Sequence, residues 1–229
     1  MRLLSDNTHF MSEVMIVLKG NYKMKFYLIH GLDRRRRIFM QTQLRHSRIP
    51  VSDVTWINHP NKDDVLPAGI ASNPSLTIGQ VAITYKHYLA LKDIVEKRLP
   101  AAVIMEDNIE FLSSVPDRVA QYLAQLPKDW DCLFDSDFFG WTYVESLIEP
   151  GKLVYKKSNE KTEQCGGASK GAHFLMVSGK GAKLMFDNFL PFNNVSDHYY
   201  NYLAKKMNLN CYWAEPPNIH KIKRQSTWL

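Results

Sequence analysis

The sequence predicts an α/β fold whose central sheet is mixed and mostly parallel, with helices flanking it. Three observations carry this. Short runs rich in apolar, branched and aromatic residues alternate along the chain with stretches of helical periodicity. One run, Ala101-Ala102-Val103-Ile104-Met105, is apolar at every position, the pattern of a strand buried on both faces. Two strands stop abruptly in acid, at Glu106-Asp107-Asn108 and at Asp135-Ser136-Asp137, and open α/β sheets bind ligands beyond such strand ends.

The elements follow in order. Lys25 to Ile29 reads as a buried first strand, and the turn His30-Gly31-Leu32-Asp33 leads into a helix over 34–46 with Asp33 as its cap. Val54 to Ile57 is a second strand, and 58–73 is a loop rich in Asn, Asp, Pro and Gly. Thr77-Ile78-Gly79-Gln80 has the form of a capping box. The helix it opens carries one apolar row at Val81, Tyr85, Tyr88 and Val95 and a second through Ile83, His87, Leu91 and Ile94, and ends at Leu99-Pro100. After the 101–105 strand come a helix from about Val115 to Leu126 and a strand from Asp131 to Phe134. Further on, 152–156 and 172–177 read as strands joined by a polar loop with Cys165-Gly166-Gly167. Helices are expected near 180–190 and 197–207, and a strand near 209–213.

The 229 residues fit a single domain over 25–229, preceded by an extension, 1–24, of no assigned role. With 45% hydrophobic and 23% charged residues, disordered and fibrous classes are excluded, and no apolar stretch is long enough to span a bilayer. Val14 to Leu18 is too short for a secretion signal and follows Glu13 rather than basic residues. Cys132, Cys165 and Cys211 are odd in number and widely spaced, so reduced thiols and a cytoplasmic location are expected.

A net charge of +6 admits nucleic acid, an acidic surface or a phosphate-bearing substrate as partner. The four consecutive residues Arg34 to Arg37 cannot all face one ligand, because successive helical residues point about 100° apart. They also oppose the dipole at a helix start, so one or two are expected to bind an anion there. Carboxylates closing buried strands need a counter-charge. Asp107 with Asn108, or alternatively Asp135 and Asp137, would hold Mn²⁺ or Mg²⁺ bridging a substrate diphosphate, beside a solvated turn as the plain alternative. His87 lies on an apolar stripe and reads either as a core histidine or as a catalytic one.

These residues also carry a resemblance. Phe26-Tyr27-Leu28-Ile29-His30-Gly31-Leu32-Asp33-Arg34 followed by Arg36-Arg37 resembles the opening strand and Asn-Leu-Asp-Arg segment of glycosyltransferase family 25, which includes lipooligosaccharide galactosyltransferases and collagen hydroxylysine glycosyltransferases. Gly79-Gln80-Val81-Ala82 with His87, Val103 to Asn108, Trp130-Asp131, Phe174 to Ala182, Asp197 and Pro216-Pro217 are similar to further family segments in the same order. The departures are His30 for Asn, Gln80 for Glu, Lys86 for the Ser before His87, and Asn108 for the last acid of Glu-Asp-Asp.

The resemblance implies a GT-A-type nucleotide-diphospho-sugar transferase fold and a metal-dependent transfer of galactose or glucose from a UDP-hexose, with inversion. The acceptor would be a glycan, a lipid-linked sugar or a collagen-like hydroxylysine. Asp33, Arg34, Arg37, Gly79 and Glu106 would then lie at the donor, His220 would join the metal ligands, and Asp197 would be the base for the acceptor hydroxyl. Asp197 follows a loop, so it is expected to be exposed at a helix start, where an ordinary cap is the competing role. The alternative class is a basic nucleic-acid-binding module. It would want aromatic residues interleaved with the basic ones, and the aromatics sit mainly in the apolar patterns.

Overall fold

The computed structural model describes residues 24–136, 148–157 and 171–222. Residues 1–23 of the 1–24 extension, Asp137 and Cys165 therefore lie outside the described residues.

A seven-stranded sheet forms the centre. Its strands are β1 (Lys25–Ile29), β2 (Val54–Ile57), β3 (Ala101–Glu106), β5 (Cys132–Phe134), β6 (Val154–Lys156), β7 (Phe174–Ser178) and β8 (Cys211–Ala214), in the spatial order β2-β1-β3-β7-β5-β8-β6. β1 pairs in parallel with β2 and β3, and β5 with β8, while β7 is antiparallel to both β3 and β5 and β6 is antiparallel to β8. Five strands thus point one way, the mixed and mostly parallel arrangement expected. A separate two-stranded sheet pairs β4 (Ile109–Phe111) with β9 (Ile219–Lys221).

The helices are α1 (Arg34–His46), α2 (Ile78–Glu96), α3 (Val115–Gln125), α4 (Gly179–Asp187) and α5 (Ser196–Lys206). Strand alternation sorts them into two layers. Tyr27, Ile29, Ala102 and Ile104 point to the face packed by Leu91 and Ile94 of α2, Met185 of α4 and Leu203 of α5. Phe26, Leu28, Val103 and Met105 point to the opposite face, against Met40 and Leu44 of α1 and Val119 and Tyr122 of α3. The sheet is therefore covered on both sides, which is why β3 is apolar throughout.

Local chemistry explains the boundaries. Asp33 caps α1, accepting from the N–H groups of Arg35 and Arg36. Thr77 and Gln80 complete a reciprocal capping box, so the amide at 80 does the work a carboxylate would do there. At the start of α4, a Cβ on Gly181 would overlap the carbonyl of Asp131, and only glycine lets the helix approach β5 this closely. The strands expected at 152–156, 172–177 and 209–213 begin about two residues later than their apolar patterns suggested. Among the described residues, no helix is long and apolar enough to cross a membrane.

Candidate active site

β1, β2, β3, β5 and β8 all end on one edge of the sheet, and β7, running the other way, begins there. That edge gathers His30, Asn58, Glu106-Asp107-Asn108, Asp135-Ser136, His173 and Glu215 from six different strands.

Alternation divides the acidic triplet: Asp107 turns to one side, and Glu106 and Asn108 to the other. Asp107 is buried, and both its oxygens are engaged. Oδ1 accepts from the Arg36 guanidinium at 2.8 Å, and Oδ2 contacts His30 Nδ1 at 2.7 Å and accepts the Gly31 N–H at 3.3 Å. The counter-charge that the sequence demanded for Asp107 is thus Arg36, supplied by the first turn of α1. Below this pair, the buried Lys86 donates from Nζ to the His30 carbonyl at 2.7 Å and to Asn61 Oδ1 at 3.1 Å. Burial pushes the Lys86 ammonium down to about 8, against the opposing pull of Asp107 and Asp64.

Glu106 faces the other way and keeps 15% of its side chain exposed. Its Oε1 lies 3.3 Å from His87 Nε2, and its Oε2 lies 3.8 Å from His173 Nε2. Burial raises its pKa, but the His87 hydrogen bond and the charges of His173, His87 and Lys221 outweigh that and hold it at about 2. An ionised carboxylate only accepts, so His87 carries a proton on Nε2, and its Nδ1 contacts the Tyr200 hydroxyl, 3.2 Å away. Tyr200 is pushed well above the usual phenol range, first by burial and then by the charges of Cys132, Glu106 and Asp197. His87 is therefore a buried core histidine that also contacts the edge carboxylate.

The second acidic end behaves differently. Asp135 is fully buried, and its oxygens accept from the Tyr122 hydroxyl at 2.9 Å and the Asn218 N–H at 2.8 Å. Three buried polar atoms along the edge, Asn58 Oδ1, Asn108 Oδ1 and Ser136 Oγ, have no hydrogen-bond partner among the described residues.

The donors test the expected metal site. The engaged oxygens of Asp107 and Asp135 do not fit metal ligation, Asn108 offers one neutral oxygen, and His220 stands exposed on β9 opposite Glu110 of β4. Among the described residues, no group of three or more His, Cys, Asp or Glu is placed to hold a metal ion. The described residues do not make a divalent-metal cradle around Asp107.

No protein-family model and no curated protein matches the sequence. Solved structures do. The protein designated A197 from STIV is 11% identical, with 83% of this chain and 81% of that chain covered and a TM-score of 0.44. The apo form of mouse xyloside xylosyltransferase 1 is 8% identical, with 88% and 78% covered and a TM-score of 0.36. At this level of superposition neither likeness speaks to chemistry, which rests on the residues themselves.

The four arginines take different places. Arg36 is buried on Asp107; Arg37 is exposed and lies over the Trp56 ring at 4.7 Å, with His30 against the same ring; Arg34 and Arg35 are exposed. Asp33 is occupied as a helix cap, and Gly79 is buried two turns from His87 toward the start of α2. Asp197 is not an exposed cap. The cap position of α5 is Val195, and Asp197 is half-buried with Oδ1 accepting the Ala172 N–H at 2.7 Å, which ties the helix to the chain entering β7.

Sequence reasoning missed Arg36, His173 and Tyr200 as members of this edge. A signal existed for Arg36, since Arg36, Met40 and Leu44 recur every four residues on the buried line of α1. For His173 and Tyr200 there was none, because each is brought in only by the antiparallel β7 and by packing between α2 and α5.

Proposed function

We propose that the protein transfers galactose or glucose from a UDP-sugar to a hydroxyl of a glycan or hydroxylysine-type acceptor, with inversion. The observation that carries this is the ionised, partly exposed Glu106 at the end of β3, on an edge that also holds buried polar atoms with no partner among the described residues. A polyol ligand satisfies such amide and hydroxyl groups, since its hydroxyls donate and accept. The exposed guanidiniums of Arg34 and Arg37 at the start of α1 suit a diphosphate. The ordered likeness of the sequence segments to glycosyltransferase family 25 supports the same reading.

In the reaction, the acceptor oxygen forms a bond to the anomeric carbon while the bond to the diphosphate oxygen breaks. UDP leaves with that electron pair, and a carboxylate takes the acceptor proton. Asp197 is our choice of base: it stands beside the entry to β7, and its charge acts on the same Tyr200 hydroxyl as that of Glu106. Asn at 197 still accepts the Ala172 N–H, so Asp197→Asn separates brace from base. As base, transfer falls by roughly 10²-fold with stability kept; as brace alone, both survive.

The test of the whole reading is thermal stability with UDP, with and without Mn²⁺ or Mg²⁺, against single-stranded DNA. A ligand of the folded state raises the melting temperature by mass action. UDP should do so, metal-dependent or not, and UDP-glucose or UDP-galactose should then be hydrolysed slowly. Stabilisation by DNA and none by UDP would overturn the proposal. The nucleic-acid reading gains nothing from the structure, because the arginine run is split between a buried ion pair, a tryptophan face and solvent.

A further inference from the structure

Cys132 and Cys211 are the first residues of β5 and β8, and they are register partners in a parallel pairing. Both are buried in the core layer beneath α2, α4 and α5. Their sulfurs are 3.1 Å apart, with the Cys132 thiol donating to Cys211. Far apart in sequence, they gave no sign there of being a pair.

The geometry suits a covalent link. Neighbouring strands run about 4.7–4.9 Å apart, and disulfides span Cα separations of about 4.4–6.8 Å. Register partners at that spacing need only side-chain rotation to join. The surroundings also favour the reactive form of one sulfur. Donation from Cys132 holds the Cys211 thiol below its ordinary range against the effect of burial, while burial pushes Cys132 up. The buried Lys157 ammonium lowers both, and the Lys157 N–H donates to the Cys211 carbonyl, fixing that residue beside the pair.

We propose that Cys132 and Cys211 form an oxidative modification site, a cross-strand thiol pair that peroxide converts to a disulfide fastening β5 to β8. The Cys211 thiolate attacks one peroxide oxygen, giving a sulfenic acid and releasing hydroxide. The Cys132 sulfur then attacks the oxidised sulfur and water leaves, so two thiols and one hydrogen peroxide yield one disulfide and two waters. Both sulfurs are buried, so the oxidant must be small. The pair sits at the strand starts, away from the edge that holds Glu106, and the inference is independent of the transfer activity.

The test uses the full chain. Native protein is treated with hydrogen peroxide, quenched, denatured, alkylated and analysed by intact mass and peptide mapping. The expected result is a fall from three titratable thiols to one, with a cross-linked peptide joining Cys132 to Cys211. The melting temperature should rise by roughly 5–15 °C and return on treatment with dithiothreitol. In Cys165→Ser the same link should form and leave no thiol. Retention of three thiols, a link to Cys165, or over-oxidation to sulfonic acid without a link would each overturn the proposal.

Discussion

Asp107 and Asp135 occupy matching places, each just past the end of an interior strand and each buried, yet they are held in opposite ways. Asp107 meets a guanidinium and an imidazole, whereas Asp135 accepts from a phenol and a backbone N–H, both neutral. Seen in the sequence, Asp107 was the first candidate for a metal and Asp135 the alternative. The difference teaches that an acid at a strand end identifies the edge but not its partner. The partner depends on which helix passes beneath, and α1 brings Arg36 where α3 brings Tyr122.

The comparison makes quantitative expectations. The largest concerns Asp107→Asn, which leaves the buried Arg36 without its counter-ion and should cost about 3–5 kcal/mol in urea denaturation. Replacing the pair together, Arg36→Met with Asp107→Leu, should recover much of that loss, because a buried ion pair often gives way to apolar residues without penalty. Asp135→Asn should cost less, about 1–3 kcal/mol, since the Tyr122 hydroxyl and the Asn218 N–H that it holds are neutral. Equal losses at the two positions would erase the distinction.

The smallest effect sharpens it through pH. Lys86 sits beneath the Asp107 cluster with its folded pKa at about 8, below the unfolded value of 10.5. Between those values the unfolded chain binds more protons, so this group makes stability rise with pH, by about 1 kcal/mol from pH 8 to 9. Below pH 8 both states are protonated and the contribution is flat. Lys86→Met should remove that alkaline rise in melting temperature, and Lys92→Met, at an exposed position, should leave it in place. A rise that persists in Lys86→Met would show that another group carries it.

Much of the frame was legible in the sequence because its causes are local. Apolar runs marked β1, β3 and β7, Thr77 and Gln80 marked the start of α2, and Asp33 the start of α1. The strand ends that form the candidate edge followed from the acids after β3 and β5. What escaped was set by distant chain. Glu106 meets His87 and His173, and His87 in turn meets Tyr200; these come from distant parts of the chain, and only the fold chooses them. Asp197 looked like a cap because it opens a helical pattern, but the Ala172 N–H captured its carboxylate first. β4 and β9 were missed because Ile109-Glu110-Phe111 and Ile219-His220-Lys221 mix polar with apolar residues and lack the apolar run that marked β5.

That last pair has a consequence for the order in which the molecule is made. β4 follows directly on Glu106-Asp107-Asn108, and β9 secures it: Ile222 N–H donates to the Asn108 carbonyl and Leu112 N–H to the Asn218 carbonyl. On a ribosome β4 emerges roughly a hundred residues ahead of its partner, at about 5–20 residues per second. For several seconds the β1, β2 and β3 portion can assemble while the acidic strand end has no β9 beside it and Asp135 lacks the Asn218 N–H. A growing chain is therefore left with an open edge beside β4 until β9 has been made, and the candidate site is completed only then.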